Sequence, residues 1–509
     1  MNEKTIVRKT SDDHYYGFTR SVCSKCNKII DAQIIENKNN VYFDKLCPIH
    51  GRERVLISTD FEWYNYCRTY IRDISLPLKL DGVIKGGCPN DCGICGRHRQ
   101  HTSIIMFGIT NMCNLKCPIC LVTNEDNWTM PLEDAKRLID KAVENEGTLE
   151  ILSISGGEPT LNPDIIDIIR YANEHGVVRC CMSSNGVRIA EDEEFVRQLS
   201  TVDVFVNLQF DGFRKETYKK IRGDERMLEV KRRALRNLKK YNVKTVLIPT
   251  IVKGLNDDEI GKIFDFALKE RFISSLHIQT LTHTGVGSDF EYDLMDHITV
   301  SDVLRNIEAH FNGDISKYDF VPEPNECFLT GVFLRFPNMP AVPIYRFVNM
   351  TKYLNKIQNN QLLTLEEIDE MSKKITMSLL FGKEKNLGLI INRKFIKPLL
   401  LLSEKINECK KNCGSKIEAE RKIAKLMESC MLLVNFHTMM DRYTFDQKRV
   451  MECTHNWITD DEKIYPFCNY SLFHCRNIKN NLEKKDTPAV RKATQQSITL
   501  KNKYNLDNL

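Results

Sequence analysis

Between Ile104 and about Gly287 the chain repeats one pattern six times: a short apolar run, then a stretch with helical amphipathicity. Such alternation buries both faces of a sheet and restricts the segment to βα units around parallel strands. The strand-length runs are Ile104–Ile109, Leu149–Ile154, Val178–Ser183, Val204–Gln209, Lys244–Thr250 and Ser275–Thr280. Helices are expected at Leu132–Glu144, Pro163–His175, Lys215–Leu238 and Asp257–Glu270, the third divided near its start by Gly223.

The loop after the first run reads Asn111-Met-Cys-Asn-Leu-Lys-Cys-Pro-Ile-Cys120. Cys113, Cys117 and Cys120 are spaced so that three thiolates converge from one tight loop. Closely spaced cysteines of this kind hold iron–sulfur clusters. Three ligands leave one iron of a four-iron cluster open to a small chelating ligand. A zinc knuckle is the alternative for three clustered cysteines, and what stands one strand later decides against it. There Ser155-Gly-Gly-Glu-Pro-Thr160 follows Leu149–Ile154, and glycines let backbone approach a ligand with no Cβ in the way.

Together these motifs resemble the radical SAM superfamily. The resemblance implies an α/β fold with a partial (β/α)6 barrel and a site at the C-terminal ends of the strands. It implies that Cys113, Cys117 and Cys120 bind a 4Fe-4S cluster and that Gly156, Gly157, Glu158 and Pro159 meet the methionyl end of S-adenosyl-L-methionine. Ser183 and Asn185, in Ser-Ser-Asn-Gly186, resemble the segment near the cofactor carboxylate or ribose. Gln209, in Asn207-Leu-Gln-Phe-Asp-Gly212, belongs with Arg214–Gly223 to the strand-four signature. Pro249, Thr250, Val252, His277, Gln279 and His283 surround the later strand ends. One departure is Ile119, where the superfamily commonly has an aromatic residue near the adenine. Cys180 and Cys181 read as core thiols.

The chain has 509 residues, 42% apolar and 28% charged, enough for two or more folded domains. Its net charge of +5 is a small remainder of 73 basic against 68 acidic side chains, which points to no nucleic-acid partner. No stretch reaches the roughly 18 apolar residues of a transmembrane helix, and Met1–Lys9 has no apolar core of a signal peptide. The 19 cysteines are therefore expected to be metal ligands in a reducing, cytoplasmic setting.

Ahead of the barrel, residues 1–60 form an expected metal module. Cys23-Ser-Lys-Cys26 and Cys47-Pro-Ile-His50 are two knuckles flanking a hairpin, and four S/N ligands suit zinc or one rubredoxin-type iron. Residues 61–102 carry a second C-x3-C-x2-C of Cys88, Cys92 and Cys95. It follows Gly-Gly rather than a strand, and no Gly-Gly-Glu-Pro lies one βα unit later, so it reads as an auxiliary cluster. Cys67 is its expected fourth ligand, with His98 as the alternative.

Beyond the barrel (103–290), residues 291–450 read as a mostly helical, apolar insertion, in which Met431–Met440 is one helical stretch and Cys409 and Cys413 stay unassigned. Residues 451–509 read as an auxiliary-cluster region of Cys453, Cys468 and Cys475, with Cys327 as candidate fourth ligand, ending in a charged peripheral tail after about residue 480. The inventory is three 4Fe-4S clusters and one mononuclear iron or zinc.

This order of cysteine sites resembles an archaeal radical SAM group containing tetraether lipid synthase and sequences assigned as methylases of 7,8-dihydro-6-hydroxymethylpterin. The resemblance implies radical C–C bond formation between isoprenoid chains of diether lipids, which gives the apolar insertion a use. The alternative is methylation of a reduced pterin, for which Asn207, Asp211 and His283 would line a polar site. An iron–sulfur electron carrier makes no use of Gly156–Pro159. Either enzyme needs a low-potential donor such as a ferredoxin, and a lipid substrate implies peripheral membrane contact.

Overall fold

The computed structural model describes residues 12–69, 74–80, 82–85, 87–91, 93–122, 127–291, 293–322, 327–335, 341–346, 430–475 and 486–506, with isolated residues between 347 and 429. Cys92 and the stretches Met377–Glu384 and Leu387–Leu402 lie outside these residues, as does Cys413; Cys409 does too.

The N-terminal module is a four-stranded antiparallel sheet: His14–Val22 (β1), Ile29–Asn37 (β2), Asn40–Cys47 (β3) and Gly51–Ser58 (β4), in that order. The expected hairpin is β2–β3. Its two loop residues, Lys38 and Asn39, both have positive φ (51° and 68°), the backbone that matches a two-residue turn to strand twist. One face packs Ala32, Ile34, Val41, Phe43 and Val55 on Tyr64 of helix Phe61–Arg68. Buried Lys45 fastens the module to the rest of the chain. Its Nζ pairs with Glu53 at 2.6 Å and donates to the carbonyls of Val22, Arg442 and Tyr443.

All six strands expected of the barrel are present: Ile104–Gly108 (β5), Leu149–Ser155 (β6), Val177–Ser184 (β7), Phe205–Gln209 (β8), Thr245–Ile248 (β9, continued by Thr250–Ile251, β10) and Ile273–Thr280 (β11). They pair in parallel, with helices Leu132–Glu146, Ile165–Glu174, Met227–Lys240 and Ile260–Lys269 between them. Gly223, at φ 86°, ends helix Lys215–Arg222 and separates it from helix Met227–Lys240.

The sheet then runs further than expected. Val321–Pro322 (β12), Phe328–Leu334 (β13), Val342–Pro343 (β14) and Met431–His437 (β15) extend it past β11, and His455–Ile458 (β16) and Ile464–Pro466 (β17) past β5. Both β15 and β16 pair in parallel with the six, covering edges that would otherwise be open. The helical expectation for 431–440 is therefore wrong. A short run apolar on both faces is ambiguous between buried strand and helix, and here the neighbour β11 decides. Residues 487–506 also correct an expectation. They form helix Pro488–Lys503, started by the Thr487 cap and Pro488, and it buries Val490, Ala493 and Ser497 against the barrel.

Successive strand residues alternate faces. Ile105, Phe107, Leu152, Ile154, Cys180, Met182, Val206, Leu208, Leu247, Leu276, Ile278, Val434 and Phe436 belong to the main core with the helices. On the opposite, inner face, Ile151, Cys181, Phe205, Val246 and Ile248 make a small apolar cluster. Cys180 and Cys181 are core thiols as expected, each raised by burial. The two ends of the sheet meet across a seam. His437 of β15 stacks on His455 of β16 with centroids 4.8 Å apart, and Phe328 lies 5.2 Å from His455.

Candidate functional site

The loop 109–120 leaves β5 at the C-terminal end of the sheet, and the Ser155–Thr160 turn leaves β6 beside it. The two are locked together by backbone: Gly157 N–H donates to Thr110 O (2.7 Å) and Glu158 N–H to Met112 O (2.8 Å). The glycines are required here. A Cβ on Gly156 would lie 2.3 Å from Thr110 O, and one on Gly157 2.2 Å from Met112 O. With these N–H groups committed, the carbonyls of Gly156 and Gly157 accept no hydrogen bond among the described residues, which suits a ligand ammonium.

Cys113 is half-buried, and its thiol is pushed up by desolvation and by Glu158, Cys117 and Cys120, so the three sulfurs are neighbours. Leu115 N–H and Asn185 Nδ2 donate to Cys113 Sγ at 3.4 and 3.8 Å. Asn185 Nδ2 also donates to Asn114 Oδ1 (2.8 Å), while Asn114 donates to Tyr504 O after the C-terminal helix (2.7 Å). The segment expected to be a peripheral tail thus braces the cysteine loop. Ile119 is buried with Ile221 and Val252.

Glu158 has a different role from the one expected of a cofactor contact. Its carboxylate accepts from Asn185 N–H (2.7 Å), Ser184 Oγ (2.8 Å) and Thr160 Oγ1 (2.6 Å), joining the turn to the end of β7, and burial raises its pKa. Asp211, expected near a pterin, is also committed. It takes a two-pronged ion pair from Arg222 (2.7 and 2.8 Å) and a bond from Thr250 N–H (3.0 Å). Lys231 was missed by sequence reasoning. It is fully buried beneath the loop, donates to Asn185 O, and is pulled down to about 8 by burial and by Arg222.

Beside the apolar cluster, the inner face carries polar residues: Ser153, Ser183, Asn207, Gln209, His277, Gln279, Asn435 and His437, with Asn207 and Gln209 level with Val246 and Ile248. Gln209 Oε1, His277 Nε2 and Asn435 Oδ1 are buried with no hydrogen-bond partner among the described residues. Burial drives His277 down to about 4, and His437 is lowered by burial and by its neighbour His455, so these imidazoles are neutral at pH 7. A separate cavity of about 530 Å³ opens among Val204, Lys244 and Ser274, at the other end of the strands.

Two further cysteine groups flank the barrel. Cys468 is buried and Cys453 half-buried, with Cys327 near both and Arg449 near Cys327 and Cys468. This trio sits at the seam, with Cys327 preceding Phe328 and Cys453 two residues before His455. Cys475, expected with it, is half-buried against Trp457, Tyr465 and Tyr470. Cys88 and Cys95 are neighbours, Cys88 raised to about 11 by burial. Their loop is held by the C-terminal segment: Gln447 donates to Cys88 O (2.5 Å), and Asn469 Nδ2 to Pro89 O (3.0 Å). His98 Nε2 is bonded to Cys453 O at 2.8 Å, which leaves Nδ1 as the nitrogen that could serve as the alternative ligand. Cys67 is fully buried in the core that also holds Ile94, next to Cys95.

In the N-terminal module the donor atoms of Cys23, Cys26, Cys47 and His50 lie within 4.8 Å of one another. The separations Cys26–Cys47 (4.0 Å), Cys23–His50 (3.4 Å) and Cys47–His50 (3.6 Å) bracket the edge of a tetrahedron with metal–sulfur bonds of ~2.3 Å. Backbone N–H groups of Ile49 and His50 lower Cys47 to about 6, preparing a thiolate. Cys47→Ser is expected to remove about one metal equivalent per chain, measured by elemental analysis, while 5′-deoxyadenosine formation persists.

Residues 107–267 match the radical SAM superfamily, and residues 15–59 match the HMPTM N-terminal zinc ribbon domain. The chain is 26% identical over 497 residues to 7,8-dihydro-6-hydroxymethylpterin dimethyltransferase of Methanocaldococcus jannaschii, covering 91% of this chain and 94% of that protein. It is 34% identical over 189 residues to Fe-coproporphyrin III synthase of Methanosarcina barkeri, covering 36% of this chain and 45% of that protein. Among solved structures, Streptococcus suis SuiB bound to precursor peptide SuiA matches with a TM-score of 0.35 and 20% identity, over 42% of this chain and 46% of that one. The barrel segment is a radical SAM domain carried by a radical SAM iron–sulfur enzyme. Among the described residues, no helix is long and apolar enough to cross a membrane.

Proposed function

We propose that this radical SAM enzyme methylates a reduced pterin of the 7,8-dihydro-6-hydroxymethylpterin class. The observation that carries the reading is the polar part of the inner face. It is short, polar, and holds three buried hydrogen-bonding atoms, on Gln209, His277 and Asn435, that the described residues leave unmatched. Buried polar groups are ordinarily paired, and a planar heterocycle with ring nitrogens, an amino group and a carbonyl offers the partners. The M. jannaschii relative, similar over nearly the whole chain, carries the name of that chemistry. Joining isoprenoid chains calls for a long apolar lining. The described inner face instead offers amides, hydroxyls and imidazoles; of the apolar stretches that suggested a lipid, Met431–His437 is strand β15, and Met377–Glu384 and Leu387–Leu402 lie outside the described residues.

In this reading Cys113, Cys117 and Cys120 hold the 4Fe-4S cluster that takes S-adenosyl-L-methionine. The Gly156 and Gly157 carbonyls receive its ammonium, and Ser183 and Asn185 lie along it. When bound, cluster and cofactor supply one-electron cleavage of the sulfonium. The chain's own residues position the acceptor. Asn207, Gln209 and Asn435 bind its edge, Val246 and Ile248 offer apolar contact at the same level, and the neutral His277 and His437 hold no competing charge. Cys88, Cys92 and Cys95 are assigned to one auxiliary cluster and Cys327, Cys453 and Cys468 to another, with a ferredoxin-type protein as donor. The fourth ligands, Cys67 and Cys475 among the candidates, stay open. Cys23, Cys26, Cys47 and His50 take a structural zinc or a single iron.

Asn435→Leu tests the pocket. Removing an unmatched buried acceptor is expected to leave thermal stability equal or higher, because the free protein loses a desolvated group. It is expected to weaken dihydropterin binding about 5- to 150-fold, from the ~1–3 kcal/mol cost of an unmade buried bond. Calorimetric binding and a thermal melt read the two together. Unchanged binding sinks this placement of the substrate.

A further inference from the structure

The stretch between Ile74 and Ile84 is no part of the barrel, and backbone bonds hold it along the loop of Cys88 and Cys95. Leu78 and Lys79 N–H donate to Asn145 O, in the last turn of helix Leu132–Glu146, at 2.9 and 3.3 Å. Ser75 N–H donates to Arg99 O (3.3 Å) and Gly82 N–H to Ile94 O (3.1 Å). A Cβ on Gly82 would lie 2.7 Å from Cys95 Cβ, so the stretch rests directly on a candidate cluster ligand.

Its side chains are left in solvent. Ile74, Leu76, Leu78, Leu80, Val83 and Ile84 are 43–73% exposed, six of the fourteen large apolar side chains exposed among the described residues. The other eight are spread from Tyr15 to Tyr318. Single exposed apolar residues are ordinary, whereas a contiguous set marks an interaction surface. Charge frames this set. Lys79 and Arg99 are paired with Glu144 and Glu452, and the Asp91 carboxylate accepts from the backbone N–H groups of Lys85 and Gly87. Lys85 and Arg97 are exposed, and neither side chain has a carboxylate within ion-pair distance among the described residues. A Cβ on Gly87 would lie 3.6 Å from Arg97 Nη1, which places that guanidinium beside the residue before Cys88.

An apolar centre with unpaired cations at its rim complements a partner whose own apolar patch is framed by carboxylates. Electron-transfer encounters use small faces of this kind, steered by charge. An anionic membrane would accept the same chemistry, but it gains nothing from lying against Cys95, whereas an electron donor must approach a cluster. From Cys95 the chain leads inward: His98 N–H donates to Cys95 O and His98 Nε2 is bonded to Cys453 O, both at 2.8 Å.

We propose that this face, with Lys85 and Arg97 at its rim, docks an acidic iron–sulfur protein whose electron enters at Cys88, Cys92 and Cys95. The inference rests on the reading that these cysteines hold a cluster and that the donor is of the ferredoxin type. One electron moves per encounter: the donor's cluster is oxidised, the cluster here is reduced, and no proton or group is transferred.

The test mixes reconstituted full-length protein, without oxygen, with a reduced acidic plant-type [2Fe–2S] ferredoxin and follows the donor's EPR signal by rapid freezing, with dithionite as the reductant that needs no docking. Val83→Ser with Ile84→Ser is expected to lower the bimolecular rate by at least about fivefold. Lys85→Glu with Arg97→Glu is expected to lower it by at least about tenfold at low salt and to flatten its salt dependence. Iron content and reduction by dithionite should match the parent in both. An unchanged ferredoxin rate in either variant overturns the proposal, as does a parent-like rate in Cys95→Ala. Loss of binding to phosphatidylglycerol vesicles in the Val83→Ser, Ile84→Ser protein, with its ferredoxin rate unchanged, assigns the face to a membrane and also overturns it. Equal iron content in Cys95→Ala and the parent contradicts the underlying cluster assignment instead.

Discussion

Cys117→Ala is expected to form no 5′-deoxyadenosine above a cofactor-only control in anaerobically reconstituted protein. The three sulfurs of Cys113, Cys117 and Cys120 are neighbours, and the loop supplies no fourth donor in reach among the described residues. Two thiolates do not hold a four-iron core. Iron content is expected to fall by about one cluster while the metal at Cys23, Cys26, Cys47 and His50 stays. A Cys117→Ala protein that still cleaves the cofactor shifts the catalytic role to another cysteine group, with Cys88, Cys92 and Cys95 first in line.

Gly157→Ala is expected to have an effect nearly as large by a different route. The added Cβ would stand 2.2 Å from Met112 O and 2.8 Å from Asn111 O, which are backbone atoms of the cysteine loop. Backbone cannot step aside as a long side chain does. The loop and turn must separate, which breaks the Gly157–Thr110 and Glu158–Met112 bonds. A loss of roughly 3–5 kcal/mol in stability follows, the scale of severe single substitutions. Equilibrium dialysis should show cofactor binding lost, and a thermal melt should show the destabilisation. Gly254→Ala is the control, since its Cβ meets nothing within 4 Å, although its φ of 70° carries a modest local cost. Equal behaviour of the two variants contradicts the cradle.

The barrel was legible because each of its six strands carries its own signal: an apolar run of fixed length with helical stretches between. The cysteine loop and Gly156–Pro159 were legible because their chemistry is written in consecutive residues. What failed to show was whatever depends on distant partners. Met431–His437 is apolar on both faces, and only pairing with β11 and β13 makes it a strand. Helix Pro488–Lys503 is masked by the charged run before it, and its buried face is mostly small residues. The Cys327, Cys453 and Cys468 trio is assembled by the seam from residues distant in sequence. Arg222 and Lys231 look like two more cations in basic helices, and only the fold shows that they are buried. Asn435 lay in a segment assigned to the wrong element, which hid its place on the inner face.

The most direct measurement is anaerobic turnover with S-adenosyl-L-methionine and reductant, offering 6-hydroxymethyl-7,8-dihydropterin and a diether phospholipid in separate reactions and following every product by mass spectrometry. The expected result is pterin gaining the mass of one or two methyl groups, with 5′-deoxyadenosine formed and the lipid unchanged. An untouched pterin beside a lipid product lighter by two hydrogens per new bond would contradict the account and make the described polar face a wall of some other substrate path.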